Sequence, residues 1–311
     1  MLILLLLLLI GCQTKELHQF TSTQMQMQLI VQVDGKEGVE DIIKETFEEV
    51  DQIYNNWNPN SEISIFNRSA ASTPIHLSPQ LSKLLHLVDK IVTLTQGRFD
   101  PTVDPLQKLW KCALVNGRTP NENELSIAAD SVGWNKIHLI GDLIFKENKD
   151  TTIDLSGIAK GYAVDLLALK LQEAGFKHIL VDWAGELRAI GAHPRKRAWT
   201  IAILGGERVE LQDESIATSG SYRQQWEIDG SRYTHLIDPF CKKPLESCPI
   251  TSASVALADC ATADAIATAL MLFNSKLEAQ AWFNEHFPEG RIWAIETSSW
   301  LDPSPVSSLF P

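Results

Sequence analysis

Lys136-Ile137-His138-Leu139-Ile140-Gly141-Asp142-Leu143-Ile144-Phe145-Lys146 places two strand-like runs on either side of a Gly-Asp pair. Apolar and β-branched residues around such a pair read as a hairpin. Beyond it the period changes, and the spacing predicts a helix over residues 158–174, closed by Gly175. Strand candidates then recur at His178–Asp182, Leu187–Ile190, Trp199–Ile203, Ser215–Thr218 and Trp226–Ile228. A strand at Ser252–Leu257, helices at Thr262–Phe273 and Leu277–Phe287, and a strand at Arg291–Glu296 follow. Upstream, Gln24 to Val33 alternates polar and apolar side chains, the mark of a strand with one buried face. From Val39 the period becomes helical, with Val39, Ile43, Phe47, Val50, Ile53 and Trp57 on one face. A second helix starts at Ser78-Pro79 and reaches Gly97, with Ser before Pro and Gly beyond as its caps. Consecutive strands mixed with isolated helices predict an α+β fold, with mixed or antiparallel sheets flanked by helices.

Working outward to the N-terminus, Met1 to Ile10 is wholly apolar and Gly11-Cys12 follows at once. That run is too short for a hydrocarbon core, which takes about 20 helical residues, but it matches the hydrophobic region of a secretory signal. Leu9-Ile10-Gly11-Cys12 resembles a bacterial lipobox, whose cysteine thiol is acylated; a plain signal peptide is the alternative. The lipobox reading makes residues 1–12 a leader, residues 13–20 a polar tether and residues 21–311 a single domain. The protein would be lipid-anchored at Cys12 to a bacterial membrane and face the periplasm or cell exterior.

The 311 residues carry a net charge of −12 with no basic run, which excludes a nucleic-acid surface built on clustered Lys and Arg. Cys112, Cys241, Cys248 and Cys260 form no CxxC pair, against a zinc site. A Cys241–Cys248 disulfide and four packed thiols both fit an exported protein.

Four islands are dense in glycine, small hydroxyls and charge. Gly97-Arg98-Phe99-Asp100-Pro101-Thr102 lies just past a helix end, where Phe99 can stack on a ring and Asp100 can accept a ligand hydrogen bond. Equally, it is a helix-terminating turn with an Asp-Pro cap. Ile153-Asp154-Leu155-Ser156-Gly157-Ile158-Ala159-Lys160-Gly161-Tyr162 runs through glycine into a helix start, offering amides, the positive end of a dipole and the Lys160 charge to a phosphate. Its spacing is neither a Rossmann nor a P-loop pattern, and glycines for close packing are the alternative. Ile216–Arg223 with Tyr233-Thr234-His235-Leu236-Ile237-Asp238-Pro239 pairs a hydroxyl-rich turn with a histidine that is either a proton acceptor or a structural residue. In Ala261–Leu270, Asp264 and Thr268 stand one helical turn apart among alanines. Two hard oxygens there suit magnesium, with phosphate and water completing the shell; a capping Asp and a Thr bonded back to its helix is the other reading.

Together with Asp51–Ser64 and Thr95–Leu106, the Asp154–Asp165, Ile216–Ser221, His235–Pro239 and Asp264–Thr268 segments resemble, in order and spacing, the ApbE family of periplasmic flavin transferases. The resemblance spans nearly the whole mature chain and implies an ApbE-like fold and a magnesium-dependent FAD:protein FMN transferase. Such an enzyme moves FMN from FAD onto a Thr or Ser hydroxyl of a target protein and releases AMP. The targets implied are membrane redox-complex subunits, such as those of the sodium-pumping NADH:quinone reductase. Carried over by position, Trp57, Arg98, Phe99, Asp100, Asp154, Lys160 and His235 match the flavin nucleotide site. Gly157 (through its carbonyl), Asp264 and Thr268 match the magnesium ligands, and His235 the base near the incoming hydroxyl, with Lys160 as its cationic partner in catalysis. The chain departs from the family at Thr21-Ser22-Thr23, where Met-Gly-Thr is usual, at Arg98, where a small residue is usual, and at Ala184-Gly185-Glu186, where Gly-Gly-Asp is usual. The competing readings of the same residues are a magnesium-dependent FAD pyrophosphatase and a flavin-binding lipoprotein without catalysis.

Overall fold

The computed structural model describes residues 16–195, 197–222, 224–246 and 248–296. The leader, Cys12, the start of the tether and Arg223 lie outside them. From the N-terminal side come the strands β1 (His18–Gln24) and β2 (Met27–Val33), then α1 (Val39–Ile53), α2 (Glu62–Asn67), β3 (Ile75–His76) and α3 (Pro79–Leu94). The helices α4 (Asp104–Val115) and α5 (Glu122–Ala129) precede β4 (Ile137–Ile140) and β5 (Leu143–Lys146). Next are α6 (Ala159–Glu173), β6 (Ile179–Trp183), β7 (Glu186–Ile190), β8 (Trp199–Ala202), β9 (Arg208–Leu211) and β10 (Ser215–Gly220). The short strands β11 (Gln225–Ile228), β12 (Ser231–Thr234), β13 (Ile237–Asp238) and β14 (Lys243–Pro244) lead to β15 (Ile250–Leu257), α7 (Cys260–Leu270), α8 (Lys276–His286) and β16 (Arg291–Glu296).

The fold is α+β, as the sequence predicts. Its main sheet has seven strands in the order β1-β2-β6-β7-β10-β15-β16, and every neighbouring pair is antiparallel. Alternation puts Leu29, Val31 and Val33 of β2 and Ile179, Val181 and Trp183 of β6 into one buried cluster with α1, α6 and α7. The other face of β7, β10 and β15 packs Ala189, Ile216 and Ala256 against Trp199, Val209 and Leu211 of the β8–β9 hairpin. Among the described residues no helix is long and apolar enough to cross a membrane.

Two expectations need correction. The single strand expected over Gln24–Val33 is the second half of a hairpin, with Gln24 paired to Met27 and the turn made by Met25 and Gln26 at φ 48° and 67°. A two-residue turn in the left-handed region normally carries Gly or Asn, so the sequence hides this one. The strand β1 also takes residues 18–20 of the stretch read as tether. The second correction concerns α1, which ends at Ile53 and leaves Trp57 on the following loop, 84% exposed. The Ser78 cap is as expected: its side chain accepts from the Leu81 amide, with Pro79 in the first turn. All four described cysteines are free, so Cys241 and Cys248 do not form a disulfide here.

The α6 helix lies on α7 at a distance only glycine permits. A Cβ on Gly161 would collide with the Cys260 carbonyl oxygen and sit 2.9 Å from the Ala261 Cα. Gly161→Ala is therefore expected to lower the unfolding free energy by about 1–3 kcal/mol by overpacking. A thermal midpoint equal to the wild type would show that this contact is looser than described.

Candidate active site

The site forms where the turn before α6, the end of β10, the loop between β12 and β13, and the first half of α7 converge. Asp165 fixes α7 from α6: its carboxylate accepts from the Cys260 and Ala261 amides at 2.8 and 2.9 Å. Burial pushes the Asp165 carboxyl up to about 6, against the amides and nearby Arg188.

This docking brings Lys160, in the first turn of α6, onto Asp264 in the middle of α7. The Lys160 Nζ lies 2.6 Å from Glu186 Oε1 and 3.3 Å from both Asp264 oxygens. Burial alone pulls the ammonium down, but the Asp264 and Glu186 carboxylates outweigh it and hold Lys160 above its ordinary range. The Gly161 amide donates to Asp264 Oδ2 at 3.1 Å, so this first-turn amide is already engaged within the protein. One ammonium faces two carboxylates, those of Glu186 and Asp264.

Around Asp264 stand the other expected metal-facing groups. Thr268 Oγ1 donates to the Asp264 carbonyl at 3.2 Å and shares a hydrogen bond with Ser219 Oγ at 3.0 Å. The back-bond predicted by the structural reading of Thr268 is thus present, but a hydroxyl oxygen keeps a second lone pair for a ligand. Gly157 closes against it: a Cβ there would lie 3.1 Å from the Phe99 ring and 3.5 Å from Thr268 Oγ1. The Asp264 carboxylate and the Thr268 hydroxyl, with Gly157 beside them, are hard oxygen donors of the kind that fit a cation taking few protein ligands. Among the described residues no group of three or more His, Cys, Asp or Glu could hold a metal.

A cavity of about 200 Å³ opens onto this point, and Arg98, Phe99, Asp100, Asp154, Gly157, Lys160, His235, Asp264 and Thr268 all line it. Trp57 does not; it borders an adjoining lobe of about 370 Å³ that shares Asp154, Ser156, Gln107, His235 and Ile237 with the first. His235 therefore stands at the junction. The β12–β13 connection holds its neighbours, since the Leu236 carbonyl accepts from the Leu245 amide at 2.9 Å and the Thr234 amide donates to Leu245 at 3.2 Å.

Several candidates carry structural duties at the same time. Asp100 caps a short 3₁₀ turn, accepting from the Thr102 amide at 2.8 Å and hydroxyl at 2.6 Å; burial still raises its carboxyl. Phe99 is only 3% exposed and its ring backs Gly157, which favours packing over stacking on a ligand ring. Arg98 lies over the Phe273 ring at 4.3 Å. Asp154 accepts from the Ser156 amide and hydroxyl at 2.9 and 2.6 Å, and burial again raises its carboxyl.

Sequence reasoning missed Glu186 as a neighbour of this centre, whereas Ser219 belongs to the hydroxyl-rich Ile216–Arg223 island. Glu186 was read only as a departure from the Gly-Gly-Asp pattern, and nothing local announces a carboxylate 26 residues from its lysine.

A sequence model of the ApbE family matches residues 21–291. An FAD:protein FMN transferase of Chlamydia pneumoniae is 43% identical over 249 residues, covering 78% of this chain and 79% of its own. An FAD:protein FMN transferase of Vibrio cholerae is 32% identical, covering 87% of this chain and 86% of its own. The crystal structure of the Pseudomonas stutzeri flavinyl transferase ApbE in its apo form superimposes with a TM-score of 0.81 at 26% identity, over 90% of this chain and 91% of that one.

Proposed function

This chain belongs to the ApbE family, and from that premise we propose that it transfers FMN from FAD, with magnesium, onto a Thr or Ser hydroxyl of a partner protein and releases AMP. The observation that carries the reading is the contact of Lys160 with Asp264 and Glu186 beside Gly157 and Thr268, in a cavity that His235 also lines. Moving a phosphoryl group puts charge on oxygen, so fixed cations and donors matter more than a protein nucleophile.

The Gly157 carbonyl, Asp264 and Thr268 are the residues that would hold magnesium, which when bound draws charge off phosphoryl oxygens. Lys160, steadied by two carboxylates, presents a second positive charge that needs no reorganisation during the reaction. Arg98, Phe99, Asp100 and Asp154 border the cavity where the nucleotide would lie, with Trp57 in the adjoining lobe. His235 accepts the proton of the acceptor hydroxyl as its oxygen bonds to the FMN phosphorus. The bond from that phosphorus to the bridging oxygen breaks, and AMP leaves with the oxygen. The partner is proposed to be a membrane redox subunit outside the cytoplasm, reached by a protein anchored through lipid on Cys12.

The purified full chain, incubated with FAD, magnesium and such a subunit, should yield AMP and covalently flavinylated acceptor in equal amounts. The same chain should sediment with membranes before detergent extraction. AMP and free FMN without labelled acceptor would replace transfer by hydrolysis, and intact bound FAD would replace catalysis by storage.

A further inference from the structure

Residues 153–155, which lead into the turn carrying Gly157, lie outside every sheet. A backbone so placed still needs hydrogen-bond partners, and two asparagine side chains supply them. Asn67 brackets Ile153, donating to its carbonyl at 2.9 Å and accepting from its amide at 2.8 Å. Asn56 spans the next residues, donating to the Ile153 carbonyl at 2.6 Å and accepting from the Leu155 amide at 3.1 Å. The Leu155 carbonyl in turn accepts from the Ile158 and Ala159 amides at 3.0 and 2.8 Å, closing the turn that holds Gly157.

Both asparagines stand on anchored supports. Asn56 belongs to a loop tied to α1, where Asp51 accepts from Asn55 and Asn58 at 2.7 Å each. The carbonyl of Asn67 accepts from Lys146 Nζ at 2.7 Å, and the same buried ammonium holds the Thr151 carbonyl at 2.9 Å. The platform thus grips the chain at residue 151 and again at residues 153 and 155, just before the turn.

We infer that Asn56 and Asn67 are positioning residues that fix the direction of the Gly157 carbonyl toward Asp264 and Thr268. This rests on the proposed magnesium site. The side chain each position needs has a donor on one side and an acceptor on the other, which an amide provides and an ionised carboxylate of the same shape does not. Asn67→Asp and Asn56→Asp keep the volume but set oxygen against the Ile153 carbonyl oxygen.

Magnesium uptake by the FAD-loaded full chain, measured by titration calorimetry, should weaken about tenfold or more in each variant, as expected when a group supporting a metal ligand is lost. FAD affinity in the presence of a chelator should stay within about twofold, and the thermal midpoint should stay close to the wild type, since a purely structural defect would move both. Unchanged magnesium affinity in either folded variant overturns the inference, as does an affinity loss that merely follows the loss of thermal stability. A wild-type chain that takes up no magnesium would instead remove the metal site on which both this inference and the proposed function stand.

Discussion

Asp264→Asn is expected to reduce metal-dependent FMN transfer by at least about 10³-fold, the loss of several kcal/mol of transition-state stabilisation. The substitution keeps the shape and an oxygen for the Gly161 amide, which now donates to Asp264 Oδ2. It removes the charge. Lys160 keeps its contact with Glu186, 2.6 Å away. The site then lacks the Asp264 charge that would attract a divalent cation, while the lysine keeps a counter-ion. Stability should therefore change little, because the large penalty for breaking a buried pair arises when a charge is left alone. Thr268→Val removes a neutral oxygen, the one proposed to hold magnesium, rather than a charge, so it should slow transfer less than Asp264→Asn. The checks are flavinylation rate against magnesium concentration and a thermal melt of each variant. Wild-type rates for Asp264→Asn at saturating magnesium would move the metal elsewhere.

How far the sequence could reach is clearest where patterns are local. The hairpin around Gly141-Asp142 pairs Ile140 with Leu143 as its spacing demands, and the Ser78-Pro79 start caps α3 with the hydrogen bond it promises. Side-chain periodicity and caps act over a few residues, so single-sequence reading finds them. The Met25–Gln26 turn escaped because alternation runs straight through it with no glycine to mark the reversal. The quoted Thr95–Leu106 segment ends just inside α4 (Asp104–Val115), a helix the sequence reading does not predict and whose Leu106, Trp110 and Leu114 bury against Tyr233 and Ile237. That helical stripe exists in the sequence, directly after an Asp-Pro turn.

The candidate site was legible as separate islands and not as an arrangement. Lys160 and Asp264 could be named from local composition, but their 3.3 Å approach depends on how α6 crosses α7, which Gly161 decides. Glu186 could not be assigned at all, since its importance comes from an ammonium on another element. The asparagine clamp is hidden for the same reason: Asn56 and Asn67 reach Ile153 across 97 and 86 residues. Several bland readings also proved compatible with the functional ones. Asp100 and Asp154 each cap a local turn while bordering the cavity, so a satisfied hydrogen bond does not remove a residue from a site.

His235→Ala should slow FMN transfer by about 10²–10⁴-fold, the usual contribution of a positioned proton acceptor, while FAD affinity falls by much less. The separation follows from place. His235 borders both the cavity that holds Lys160, Asp264 and Thr268 and the adjoining lobe lined by Trp57 and Trp226, so it stands where the two meet. An acceptor hydroxyl entering from the partner protein is a poor nucleophile until its proton has somewhere to go. Lys160 cannot take that proton, because its ammonium is already protonated and held so by two carboxylates. Asp264 and Glu186 are both committed to Lys160. Asp154 also borders both cavities, but its Oδ1 already accepts from the Ser156 amide and hydroxyl, so His235 is the group proposed to take the proton, and truncating it to alanine leaves Asp264, Thr268 and Lys160 in place. The test is a single-turnover flavinylation assay run beside an FAD binding titration. If transfer proceeds at the wild-type rate, or if rate and FAD affinity fall together by the same factor, His235 is a nucleotide contact and the proton leaves by another path.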